Sequence, residues 1–320
     1  MRGRTAISRS VRAARPTVAV VTDSTASLPP GAAEDAGVLL VPLDVVIDGE
    51  RFVEGVDLDR VALLEGLARG ARVSTSQPPP AAFADAYARA AAQGAREIVS
   101  VHLSGDLSGT VRAAQLAAAA APVPVHVVDS RTVGMALGFA VLAAARLARG
   151  ETETTADADH RRWWEAPWAR GQVALPDGLA VATAARAVGA GSSAWFLVDS
   201  LDHLRRGGRL SAPAAALGAV LGLRPILGLR DGRVGVAEKV RTRRAARERL
   251  EALAVSDVLG RASARVAVHH LGQPELAAQV AERLTSELGP RVREVVVCEA
   301  GAVLAAHVGP GLLAVLVTDA

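Results

Sequence analysis

Aromatic residues are scarce in this sequence: they make up 3% of 320 residues, with a single tyrosine. Half the residues are nonetheless hydrophobic, so a core has to be built from alanine, valine and leucine. Cysteine is nearly absent. The lone Cys298 excludes an internal disulfide and fits a reducing cytosol, the expected location. It ends the run Glu294-Val295-Val296-Val297, where a buried, inert thiol is expected rather than a nucleophile. Long apolar runs are missing as well. Stretches such as Val141 to Ala145 are soon broken by arginine, far short of the roughly 20 residues of a membrane span, so no transmembrane segment is expected. There is no Walker loop, no dinucleotide fingerprint in the right context and no nucleophile elbow. His269-His270 and Asp157-Ala158-Asp159-His160 lack the spaced ligand sets of a zinc site. Neither a metal nor a cofactor is expected.

Acid is absent from residues 1–16, which carry Arg2, Arg4, Arg9, Arg12 and Arg15. The net charge of +3 resides in this arm, since subtracting its five arginines leaves 31 basic against 33 acidic residues. A nucleic-acid binder would carry its excess charge on the folded surface. The arm reads as disordered, without the apolar stretch of a secretory signal, and nucleic acid is not an expected partner.

The chain is long enough for two domains. Strand and helix patterns alternate along its first half. Val18 to Thr22 is an apolar strand followed by Asp23-Ser24-Thr25. Val38 to Ile47 reads as one further strand, turning at Asp48-Gly49 into Arg51-Phe52-Val53. Helices are predicted over 58–69 and 81–93, the second with Phe83 and Tyr87 on one side. A strand over 97–103, an alanine-rich helix, a strand ending in Asp129-Ser130 and a helix to about Gly150 follow. This alternation predicts a largely parallel sheet with helices on both faces. Three strands end in acidic or hydroxyl residues, which is how α/β proteins place polar groups at a ligand crevice.

The rhythm breaks over 151–194, which holds Trp163, Trp164 and Trp168 and a Gly/Ser-rich stretch. This range is expected to be an atypical linker between a domain over 17–170 and another over 171–320. The second domain reads as a strand over 195–198, a helix around 212–220, a hairpin turning at Asp231-Gly232, a helix over 241–253 and a strand at 266–268. Beyond these, Leu276, Val280 and Leu284 form a buried helical stripe, followed by a strand over 294–298, a helix over 301–306 and a strand over 313–318.

Four segments could carry chemistry. The loop Ser104 to Thr110, between a strand and a helix, brings backbone N–H groups and the hydroxyls of Ser108 and Thr110 to a helix N-terminus, which favours carboxylate or phosphate; helix capping by Ser108 is the plain alternative. Ser74-Thr75-Ser76-Gln77-Pro78 is extended because the proline disfavours helix, so its hydroxyls can face a ligand or simply form a turn. Arg205-Arg206-Gly207-Gly208-Arg209 combines close backbone approach with a cation. His307 precedes the rigid turn Gly309-Pro310-Gly311, where a lone histidine is usually structural.

In this order, these segments resemble the DegV family of bacterial fatty-acid-binding proteins. The resemblance is carried by Asp23-Ser24-Thr25 with Leu28-Pro29, Thr75-Ser76-Gln77-Pro78, Leu107-Ser108-Gly109-Thr110, Val128-Asp129-Ser130, Gly207-Gly208-Arg209-Leu210-Ser211, Lys239-Val240-Arg241 and His307-Val308-Gly309-Pro310-Gly311. It implies a two-domain α/β fold with a Rossmann-like, mostly parallel N-terminal sheet and a C-terminal α/β domain. One long-chain fatty acid is then held between them, its tail in an apolar tunnel. Thr75 and Ser108, with Ser76, Gly109 and Thr110 beside them, are implied to hold the carboxylate. Arg209 and His307 are implied to lie near the acyl phosphate that a separate fatty acid kinase subunit would form. On this reading the chain is a binding and presenting protein of phospholipid precursor metabolism. The rivals are an enzyme on the same scaffold, such as an acyl-phosphate phosphatase or an acyl hydrolase using Ser108 with His307, and a DNA-associated protein acting through the arginine-rich arm.

Overall fold

The computed structural model describes residues 17–151, 175–210 and 223–320. The basic arm, the three clustered tryptophans and the helix predicted around 212–220 lie outside the described residues. The first sheet joins β1 (Val18–Asp23), β2 (Val38–Val41), β6 (Glu97–His102) and β7 (Val125–Asp129) in the order β2-β1-β6-β7, every pair parallel. Their apolar runs need cover on both sides. Val21, Val41 and Ile98 pack under α3 (Pro80–Ala92) and α4 (Thr110–Ala118). Val18, Val20, Val99 and Val101 pack on the other face against α5 (Met135–Ala148) and α6 (Gly178–Ala190). Helix α6 lies within the range expected to be a linker and covers β6 and β7, so the layer on the first sheet continues past residue 170. The short α1 (Ala32–Asp35) precedes β2.

The single strand predicted over 38–47 is two strands in different sheets. Pro42, which has no N–H to give a ladder, separates β2 from β3 (Asp44–Ile47). A three-stranded antiparallel sheet, β4-β3-β5, is completed by β4 (Glu50–Val53) and β5 (Val73–Ser76), with α2 (Arg60–Ala68) between them in sequence. Its hairpin turns at Asp48 and Gly49, both at positive φ (51° and 95°), as a two-residue turn requires.

The third sheet has the order β10-β9-β8-β13-β11-β12. Its strands are β8 (Ser193–Leu197), β9 (Arg224–Arg230), β10 (Arg233–Val240), β11 (Ala264–His270), β12 (Val292–Glu299) and β13 (Leu313–Asp319). Only β11 and β12 run parallel; every other pair is antiparallel. The parallel arrangement predicted for the first half of the chain thus describes the first sheet, while this sheet of the second half is mixed. One face packs on α8 (Arg243–Leu259) and α9 (Pro274–Leu288), where Val280 and Leu284 are buried as predicted. The other face, with Ala194, Phe196, Leu227 and Leu316, meets Met135 and Phe139 of α5 and residues of the small sheet in the largest apolar cluster. Also in that cluster are residues of α7 (Asp202–Arg206) and α10 (Ala302–Val308).

Two polar devices cross these layers. Behind β1, the Asp23 carboxylate accepts hydrogen bonds from His102 Nδ1 (2.9 Å), the Leu103 amide (3.2 Å) and the Thr25 amide (3.1 Å). His102 Nε2 in turn meets Ser100 Oγ at 2.7 Å, and the Tyr87 hydroxyl donates to that oxygen at 2.9 Å. Asp23, Ser100 and His102 are all at 0% exposure, so this Ser–His–Asp relay is sealed from any substrate. On the third sheet, His269 accepts the Met135 N–H at Nε2 (2.9 Å) and lies 3.2 Å from the Cys298 carbonyl at Nδ1, tying the start of α5 to β11. Burial holds this imidazole down at about 4.

Replacing Asp23 with alanine strips four buried donors, the Thr25 amide and hydroxyl, His102 and the Leu103 amide, of their acceptor, at about 1–3 kcal/mol each; chemical denaturation is expected to register a loss of at least about 3 kcal/mol. In the unfolded chain His269 would ionise near 6.5, in the fold near 4. Its contribution to stability is therefore complete above pH 6.5 and is lost as the pH falls toward 4, up to about 3 kcal/mol by linkage. The urea midpoint is expected to drop between pH 7 and pH 5, and His269→Gln to make that drop shallower.

Candidate functional site

The loop from Leu103 to Gly109 is fixed from two sides. Below it, Asp23 holds the Leu103 amide and Asp129 accepts the Gly105 amide (3.2 Å). Across from it, the turn of the β9–β10 hairpin reaches over. Ser104 Oγ donates to the Gly232 carbonyl (2.8 Å), Arg131 donates to the Asp231 carbonyl, and Arg233 grips Asp106 (3.0 and 2.8 Å). Asp23 and Asp129, which close β1 and β7 where a ligand crevice is expected, thus serve here as the support of this loop. Asp23 and Thr25 are buried, the amide and hydroxyl of Thr25 both donating to the Asp23 carboxylate.

Ser108 sits half-buried at the end of the loop, its hydroxyl 2.8 Å from that of Thr110 and accepting the Thr110 amide at 3.3 Å. Thr110 is buried beneath it (0% exposed) and is set back from the cavity, whose wall is formed by Ser108 and Gly109. On β5, the alternation of an edge strand separates Thr75 from Ser76. The Thr75 hydroxyl lies 2.7 Å from His307 Nε2, whereas Ser76 Oγ donates to Asp44 (3.2 Å), which Arg51 also holds. Both residues border the cavity, and Gln77 borders it as well.

His307 comes from the last turn of α10. The first turn of that helix is anchored by Glu54, whose Oε1 accepts the Val303 amide at 3.0 Å while Oε2 has no partner among the described residues. Burial raises the pKa of this carboxyl. Gly207 is needed where it stands because a Cβ there would lie 2.7 Å from His307 Nδ1. Gly309, at φ +70°, is needed because a Cβ would lie 2.4 Å from the His203 ring. Arg209 donates to the carbonyls of Leu107 (3.0 Å at Nε) and Gly207, so its guanidinium bridges the loop bearing Ser108 and the turn beside His307. Burial, then the positive charge of Arg209, keeps His307 neutral with a pKa of about 4.

Thr75, Ser76, Ser108, Gly109, Arg209 and His307 therefore border one cavity, from segments as far apart as β5 and α10. The rest of its wall is almost wholly apolar, drawn from all three layers: Leu43 before the small sheet, Leu103 and Leu107 from the loop, and Phe196, Leu229 and Leu316 from the third sheet. Sequence reasoning did not single out Gln77, Phe196 or His269 as site residues. Phe196 could have been found from the alternation of β8; His269 could not, because β11 is buried on both faces.

The pairing needed for a hydrolase at Ser108 is not made: His307 bonds to Thr75, and no carboxylate among the described residues is hydrogen-bonded to its ring. Cys298, 3.3 Å from His269 Nδ1, has its thiol pushed up to about 12 by burial. Among the described residues no group of three His, Cys, Asp or Glu could hold a metal ion, and no helix is long and apolar enough to cross a membrane.

The family model described as "Uncharacterised protein, DegV family" matches residues 17–159 and 179–319, passing over the three clustered tryptophans. A DegV domain-containing protein of Streptomyces coelicolor is 44% identical over 302 residues, covering 94% of this chain and 98% of its own. Among solved structures, a DegV family protein from Thermus thermophilus, described by its fatty acid binding, superposes with a TM-score of 0.80 at 31% identity, over 95% of this chain and 99% of that one. DegV of Bacillus subtilis, described as a fatty acid binding protein, does so with a TM-score of 0.80 at 30% identity over the same shares. On sequence, fold and extent of match together, this chain belongs to the DegV family.

Proposed function

We propose that this chain binds one long-chain fatty acid, its tail in the apolar cavity and its carboxylate at Thr75 and Ser108, and presents that carboxylate to a separate kinase subunit for phosphorylation. The observation that carries the reading is the contrast within a single cavity. Most of its wall is apolar, and Thr75 and His307 are hydrogen-bonded to each other beside Ser108 and Arg209, whose guanidinium donates to the Leu107 carbonyl. A buried carboxylate has to be fully hydrogen-bonded or it protonates instead. Two hydroxyls and the Arg209 guanidinium supply donors and one positive charge without a lysine. An 18-carbon tail buries about 16 methylenes at about 0.8 kcal/mol each, roughly 13 kcal/mol before the costs of association. Affinity then comes from the tail and orientation from the head.

Presentation is supported by the rim. Ser76, Gln77 and Gly109 are exposed where the cavity opens, so a carboxylate held beside them stays within reach of a phosphoryl donor. Neutral His307 and cationic Arg209 suit the extra negative charge of an acyl phosphate. The fatty acid binding attributed to the Thermus and Bacillus relatives agrees with this reading.

Protein purified from bacteria, denatured and analysed by mass spectrometry is expected to release about one fatty acid per chain. The double variant Thr75→Ala with Ser108→Ala is expected to lose most of it while keeping its circular dichroism; unchanged lipid content would sink the site assignment. Gly207→Ala, which crowds His307, is expected to lower acyl-phosphate formation about tenfold in the presence of ATP and a fatty acid kinase, with lipid content nearly unchanged. Acyl-phosphate turnover by the chain alone would favour an enzyme on this scaffold instead.

A further inference from the structure

The cavity-facing side of the third sheet has an unusual relief. Ala314 of β13 is paired with Phe196 of β8 on one side and with His269 of β11 on the other. Directly paired residues of antiparallel strands project to the same face, and all three border the cavity. Along β13 the same face carries Leu312 just before the strand and Leu316 within it. A methyl group is thus ringed by four large side chains, two across the sheet and two along the strand. Adjacent strands are about 4.8 Å apart, so the backbones under Phe196 and His269 are separated by roughly 10 Å. Between their rings this leaves about the width of one alkyl chain. His269 keeps both ring nitrogens occupied, by the Met135 amide and the Cys298 carbonyl, so the pit is apolar despite the histidine in its wall. Its floor is rigid: Leu313 and Val315, the neighbours of Ala314 on the opposite face, are packed into the cluster beneath α8 and α9.

Resting on the fatty-acid reading above, we propose that Ala314 determines which acyl chains this protein accepts. The pit above its methyl group receives the tail, and the depth of that pit selects chain length independently of the polar rim. Each methylene excluded from the pit costs about fourfold in affinity (about 0.8 kcal/mol). Leucine at this position adds about three carbons and fills the pit; valine adds about two and suits a strand.

The test uses the full chain. Wild type, Ala314→Leu and Ala314→Val are loaded from an equimolar mixture of C14 and C18 saturated fatty acids, and the bound lipid is quantified by mass spectrometry. The bound C18-to-C14 ratio is expected to fall at least about tenfold in Ala314→Leu, and by less in Ala314→Val, with total occupancy near one per chain. The valine variant carries the test if the leucine variant does not fold. An unchanged ratio in a folded, lipid-bearing variant, or an equal loss of both acids, overturns the assignment of Ala314 alone. A wild-type protein that takes up neither acid overturns the fatty-acid reading and this inference with it.

Discussion

At the carboxyl end of β1 a carboxylate is held out of water, and the site depends on it. Asp23 takes its hydrogen bonds from His102, from the first amide of the loop that ends in Ser108, and from the turn that follows β1. A buried carboxylate must collect donors from its surroundings, and one of those it collects is the first amide of the loop. The requirement to satisfy one charge thereby fixes the backbone of the segment that borders the cavity. The hairpin turn at Asp231 and Gly232 completes the restraint from the opposite side, so the loop has little freedom to move alone.

How much of this could be read from the sequence follows from the range over which each feature is decided. The parallel sheet was legible because its strands are apolar on both faces and alternate with helical patterns. The two hairpin turns were legible from Asp-Gly, and the Val280–Leu284 stripe from its spacing of four. Pairing across long separations was not. Nothing local to β13 says that it lies antiparallel between β8 and β11, and nothing local to β3 says that it leaves the first sheet, beyond Pro42. Short polar motifs were legible, but their packing was not: Asp23 and Asp129 hold the amides of Leu103 and Gly105, and Thr110 sits beneath Ser108.

The cavity owes its existence to the same economy that makes the sequence poor in aromatics. Alanine at 194 and 314 leaves space that leucine or phenylalanine would have filled. Close approach then concentrates the polar residues. Gly207 lets a backbone turn press against His307, and the neutral imidazole is left to bond with a threonine from a different sheet. Charge at the site is consequently carried by Arg209, while the rest of the polar group is neutral at physiological pH.

The cavity wall takes residues from the loop of the first sheet, from the neighbourhood of the small sheet and from the third sheet alike. An occupant would therefore be shared by three layers and would serve as part of their common interior. Any molecule held by the folded chain and not by the unfolded one adds RT ln(1 + [L]/Kd) to its stability. For this architecture, the availability of an occupant and the equilibrium stability of the folded chain would be thermodynamically linked.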